Sequence, residues 1–150
     1  SLRGLYPRGT RRAHQVTGVA VIDASTLGNV LLDAAVHPDA VELLRSEDCA
    51  VFIPHLCDVE VAYGLRSMIA RGVMDESSAQ EALEQYRGLS LERVGHEVLL
   101  DRVLSLRSNF PASDAPPVAL APVRGAPLHT ADQRLARAVR EHTDVEVVEV

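Results

Sequence analysis

Four acids in this 150-residue chain stand where chemistry could be done: Asp23, Glu60, Asp114 and Asp132. Asp23 closes the apolar run Gly18-Val-Ala-Val-Ile. Glu60 lies in the segment after a second apolar run. Asp114 follows Asn109-Phe-Pro-Ala-Ser113, and Asp132 stands two residues past Thr130. If such carboxylates converge, each pair at 4 Å repels by about 4 kcal/mol at an effective dielectric of 20. The group must then take up protons or bind a cation. Oxygen donors without a histidine or cysteine pair favour Mg²⁺ or Mn²⁺. An ion of that kind can hold a phosphate, acidify a water and offset charge on a leaving oxygen, so the expected reaction is in-line phosphodiester hydrolysis. Each acid also has a purely structural reading. Asp23 could cap the next helix, Glu60 could sit on a solvated outer face, and Asp114 and Asp132 could be first-turn acids set against a helix dipole.

The elements that would position these residues are legible as alternating patterns. Gly18–Ile22 reads as a strand buried on both faces. A helix is expected over 25–35 and another from Pro38, a residue suited to a first helical position, to about Asp48. Cys49–Ile53 reads as the second strand, and the segment from Pro54 to Gly72 as a helix with Leu56, Val59, Tyr63 and Ile69 at roughly helical spacing. Asp58 and Glu60, two apart on that helix, cannot both face one crevice; Asp58 is the better candidate for the solvated side. Asp75–Arg87 reads as a helix, Leu89–Val94 as a third strand and Gly95–Ser108 as a further helix. Pro127–Thr130 is a short strand. Thr130-x-x-Gln133 matches a capping box and predicts a helix to about Glu141. Val145–Val150 alternates like a half-exposed edge strand. This order implies a three-layer α/β/α sandwich around a mainly parallel sheet, with the functional crevice beyond the carboxyl ends of the strands.

Composition narrows the chemistry further. The length suits one domain with a real core. Residues 1–17 hold four of the fifteen basic residues and show no periodicity, so they read as a flexible basic tail or an added remnant, leaving 18–150 as the folded domain. No apolar run is long enough to span a bilayer and no signal peptide is visible, which points to the cytoplasm. Cys49 and Cys57 have neither zinc-ribbon nor CxxC spacing and read as reduced packing residues. Every basic residue is arginine. The absence of lysine excludes the P-loop, Schiff-base chemistry and the receiver-domain phosphoswitch, and with them most rival phosphoryl-transfer readings. A net charge of −6 argues against a protein that simply coats nucleic acid.

Three blocks carry a family resemblance. Val21-Ile-Asp23-Ala-Ser25, the stretch from Pro54 through Glu60 to Arg66, and Ser113-Asp114-Ala-Pro-Pro-Val-Ala-Leu-Ala121 with Gly125-Ala-Pro-Leu-His-Thr130-Ala-Asp132-Gln-Arg-Leu135 together resemble the PIN domain, most closely its VapC-type toxin branch. The resemblance runs from about Val19 to the C-terminus. It implies a Mg²⁺- or Mn²⁺-dependent endoribonuclease acting on cellular RNA, neutralised by a cognate VapB-like antitoxin and usually homodimeric. The family's acidic set maps onto Asp23, Glu60, Asp114 and Asp132, with Ser25 and Thr130 at positions where a hydroxyl supports the site. Arg66 and Arg134 are the candidate contacts to substrate phosphate or to an antitoxin's acid, while His129 reads as structural. The alternative is a PIN-like module that binds RNA or protein without catalysis; the full acidic set disfavours it. Where family members carry aromatics around the third acid, this chain has Ser113, Pro116 and Pro117. Pro122 cannot donate to the carbonyl of Val118, so a stop or kink is expected near Ala121.

Overall fold

The structure is a computed structural model that describes residues 16 to 150; most of the expected N-terminal tail lies outside the described residues. Five strands, β1 (Gly18–Ile22), β2 (Cys49–Pro54), β3 (Leu91–Val94), β4 (Leu128–Thr130) and β5 (Val147–Glu149), form one sheet in the order β3-β2-β1-β4-β5. All four pairings are parallel. Ala20, Val21 and Ile22 of the central strand are fully buried, as an apolar run covered on both faces should be. Opposite pleats of β1 feed separate cores. Ile22 joins Val51 and Ile53 beneath helices α1 (Ala24–Leu32), α2 (Pro38–Arg45), α3 (Leu56–Ala70) and α4 (Glu76–Arg87). Val21 joins Leu128 beneath α5 (Leu100–Ser105), α6 (Ala115–Arg124) and α7 (Gln133–His142). The expected three layers are therefore present. Among the described residues, no helix is long and apolar enough to cross a membrane.

Strand order places the functional end. From β1 the chain builds one half of the sheet through β2 and β3, then returns to the other side of β1 for β4 and β5. The reversal falls between β1 and β4, and the crevice of a parallel sheet opens at such a point beyond the carboxyl ends of the strands. Asp23 directly follows β1, and Ala131 directly follows β4.

Several elements differ from the sequence reading. The helix expected over 95–108 is a 3-10 turn at Glu97–Leu99 followed by the short α5. β3 begins at Leu91, because Leu89 and Ser90 belong to the turn that closes α4, where the Leu91 amide donates to the Leu89 carbonyl. The helix does not stop near Ala121: α6 continues through Pro122 to Arg124. Pro122 is exposed and removes a single amide donor. Immediately beyond, Gly125 takes the left-handed conformation (φ +58°), and Ala126 donates to the Ala121 carbonyl, so the helix end is closed in the usual way. The capping-box reading also shifts by two residues. Asp132, not Thr130, caps α7, accepting from the amides of Arg134 and Leu135 at 2.9 and 3.1 Å.

Candidate active site

Asp23 occupies the N-cap position of α1, yet its carboxylate caps no backbone amide. It accepts hydroxyl donors instead. Ser25 donates to Oδ2 at 2.7 Å, Thr130 donates to the same oxygen at 3.1 Å, and Thr26 donates to Oδ1. Burial pushes the Asp23 carboxyl above its ordinary range, and the three hydroxyls oppose that shift. The sequence reading found Ser25 and Thr130 but missed Thr26, which is fully buried and also accepts the Ala131 amide at 2.8 Å. A hydroxyl three residues past the acid, on the inward face of a helix, was the available signal.

The other acids arrive from three further elements. Glu60 lies in the second turn of α3, three residues after buried Cys57, so both point toward the crevice. Asp114 immediately precedes α6, whose first turn tolerates Pro116 and Pro117 because its amides have no intrahelical acceptor. Asp23, Glu60 and Asp114 line one narrow cavity of about 40 Å³, together with Ser25, Pro54, Cys57, Ser113 and Pro117. That volume accommodates a few water-sized occupants. Asp132 does not line it. It is joined to Asp114 through Arg134, whose Nη2 lies 3.0 Å from Asp114 Oδ2 and 3.4 Å from Asp132 Oδ2.

Three of the four acids thus share a cavity and the fourth is tethered to its rim. Glu60 registers the resulting charge. Burial first, then the negative charges of Asp114 and Asp23, push its carboxyl up to about 7. In contrast, the Cys57 thiol is pushed by burial up to about 12, so it stays protonated and offers no thiolate. The donors around the cavity are therefore oxygens, and the residues fit a hard divalent cation by chemistry and charge. They do not yet converge on one point: among the described residues, no three His, Cys, Asp or Glu side chains are gathered tightly enough to form a ligand set. Asp23 is held by hydroxyls, and Asp114 leans on Arg134.

Asp58 lies outside the cavity, as expected, with its side chain 38% exposed, but it is ion-paired and hydrogen-bonded there. Tyr86 donates to Asp58 Oδ1 at 2.7 Å, and Arg93 Nε donates to Oδ2 at 2.8 Å. Burial alone would raise the Asp58 carboxyl, but these donors outweigh it and hold it below its usual range. This network ties α3 to α4 and β3, and so fixes the helix that carries Glu60. His96 adds to the anchorage by accepting the Leu56 amide at 2.7 Å at the start of α3. Arg66 is not at the cavity; its guanidinium lies over the exposed Tyr63 ring at 5.6 Å. His129 is half-buried in β4, its Nδ1 is buried without a partner, and burial holds its pKa below the ordinary value.

The Glu60 shift has a measurable sign. A carboxyl whose folded pKa exceeds its unfolded value of 4.5 contributes stability at low pH and loses it as pH rises through 7. Glu60→Gln removes that titration. Stripped of divalent ions, the variant should match the pH trend of the parent near pH 4, below the unfolded pKa, and gain on it by pH 8. After allowance for solvent screening of a half-exposed group, the gain is about 1 kcal/mol. Urea denaturation in EDTA at both pH values reads the difference, and a gap that does not change with pH would contradict the assigned environment.

No family model matches the chain. Over 128 residues, 85% of this chain and 97% of the relative, it is 34% identical to the VapC ribonuclease Mb0985 of Mycobacterium bovis and, with the same coverage, to ribonuclease VapC9 of Mycobacterium tuberculosis. Ribonuclease VapC12 of Mycobacterium tuberculosis is 29% identical, with 85% and 98% covered. Among solved structures, the crystal structure of PAE2754 from Pyrobaculum aerophilum superposes with a TM-score of 0.65 at 20% identity, covering 92% of this chain and 88% of that one. The crystal structure of VapBC2 from Rickettsia felis, bound to a DNA fragment from their promoter, superposes with a TM-score of 0.67 at 13% identity, covering 88% and 98%. At such identities these two structures speak to the shared fold alone.

Proposed function

Since the chain belongs to the family of VapC ribonucleases, we propose that its acid-lined cavity hydrolyses phosphodiester bonds of cellular RNA as a Mg²⁺- or Mn²⁺-dependent endoribonuclease. The observation that carries this reading is the shared cavity of Asp23, Glu60 and Asp114, with Glu60 pushed toward neutrality by burial and by the charges of the other two. Asp23, Glu60, Asp114 and Asp132 would hold the ion, directly or through water. The ion would supply positive charge against the phosphate and against the negative charge that develops on it.

The chain's own groups do the rest. Ser25, Thr26 and Thr130 fix the direction of both Asp23 oxygens before substrate arrives, so no reorientation is needed during reaction. Glu60, pushed up to about 7 by burial and by the negative charges of Asp114 and Asp23, is the acid whose carboxylate form a bound cation would favour most. Arg134, at the rim, is the arginine suited to meet RNA phosphate.

The same reading includes a VapB-like antitoxin, a homodimer and a cytoplasmic setting. Large apolar side chains are available for protein partners: Val59 and Tyr63 on α3, and Val98, Leu100 and Leu104 on and before α5, are all at least half exposed. The direct test is to incubate the protein, freed of any partner, with total RNA in Mg²⁺ or in EDTA and to map new RNA ends. Ends that appear only with the divalent ion are expected. Cutting that persists in EDTA would refute the metal assignment, and no cutting in Mg²⁺ or Mn²⁺ would favour a binding module.

A further inference from the structure

Arg134 is the cation that joins the two acids outside the main hydroxyl cluster. Its backbone amide caps onto Asp132 Oδ1 at 2.9 Å, while its guanidinium reaches both Asp114 Oδ2 and Asp132 Oδ2. The two carboxylates are mostly covered, with side chains 17% and 30% exposed, whereas the Arg134 side chain is 67% exposed. The arginine thus reaches the acids from the solvent side. Among the described residues, no other basic side chain forms an ion pair with either acid, and none pairs with Glu60. A guanidinium 3.0 Å from an oxygen competes with any cation that needs the same oxygen, because both seek the same lone pairs and repel each other.

We propose that Arg134 is a displaceable counter-ion, which neutralises Asp114 and Asp132 while the cavity lacks a divalent ion and moves to an RNA phosphate once the ion takes those oxygens. The proposal rests on the metal-dependent reading above and adds to it an exchange of partners. Without the ion, the arginine prevents two carboxylates from repelling each other. With the ion, the same side chain is released beside the place where substrate charge must lie. Its planar fork suits phosphate as well as carboxylate. Because the side chain is mostly exposed and packs against little, its removal should leave the fold intact.

The test is Mn²⁺ titration calorimetry on the RNA-free protein and on Arg134→Gln and Arg134→Lys. Loss of the competitor should tighten Mn²⁺ binding by Arg134→Gln about threefold to tenfold, with Arg134→Lys close to the parent. Binding of a short mixed-sequence RNA to the Ca²⁺-treated protein should weaken in Arg134→Gln, and its logarithmic salt slope should fall by about one unit. Mn²⁺ binding that is unchanged or weaker in Arg134→Gln overturns the exchange and leaves the arginine as scaffolding. If the parent itself gives no Mn²⁺ binding, the metal-dependent reading fails as well, a result distinct from equal binding by parent and variant.

Discussion

Asp23→Asn is expected to lower RNA cleavage in Mg²⁺ by about 10²- to 10³-fold, with the loss falling on kcat. The substitution keeps side-chain volume and backbone position, so it isolates charge. Asn offers one carbonyl oxygen where Asp23 now receives donors on both oxygens, from Ser25 and Thr130 on one and Thr26 on the other. The amide nitrogen would confront a hydroxyl that itself donates. A neutral group also removes one negative ligand from a cavity lined by only three carboxylates. The same change should relax Glu60, because the charge on Asp23 is one of the causes of its raised pKa. Single-turnover cleavage of a defined RNA, with thermal melting as the control for folding, makes the comparison. Activity within threefold of the parent would exclude Asp23 from the chemistry.

The second large effect concerns stability. Thr26→Val preserves shape but deletes a hydroxyl that is fully buried and used twice, once as donor to Asp23 and once as acceptor of the Ala131 amide. Both partners would remain buried or half-buried with a bond unmade. A lost bond to a charged group together with an orphaned amide costs about 2–4 kcal/mol. Thr26→Ser retains the hydroxyl and should recover most of that loss. Urea denaturation of the two variants gives the measurement, and equal midpoints for valine and serine would show that the hydroxyl contributes little.

How much of this could be seen in the sequence depends on the distance over which each interaction acts. β1 and its terminal acid were plain, since a continuous apolar run can satisfy only a strand covered on both faces. The edge position of β5 was equally legible from its Val/Glu alternation. Errors arose where a distant partner overrides a local pattern. Thr130-x-x-Gln133 has the local form of a cap, but the Thr130 hydroxyl is engaged by Asp23, 107 residues earlier, and Asp132 takes over the helix. That Asp58, on the solvated side, is also pinned could not be seen because Tyr86 and Arg93, which hold it, lie 28 and 35 residues away. Pro122 looked like a stop because the rule counts one missing amide and does not see the Gly125 closure beyond it. Among the site residues, helical geometry showed that Glu60 and Asp58 could not share the crevice, whereas the link from Arg134 to Asp114 needed coordinates.

The hydroxyl cage around Asp23 also sets an order of events during translation. Two of its donors follow the acid directly, on α1, but the third, Thr130, is made more than a hundred residues later. Its arrival comes with the amide that Thr26 accepts, from the residue just beyond β4. A chain made only as far as α4 therefore carries the first acid without its finished surroundings, and without Asp114 or Asp132 at all. The proposed cutting power arrives only once synthesis has passed Asp132.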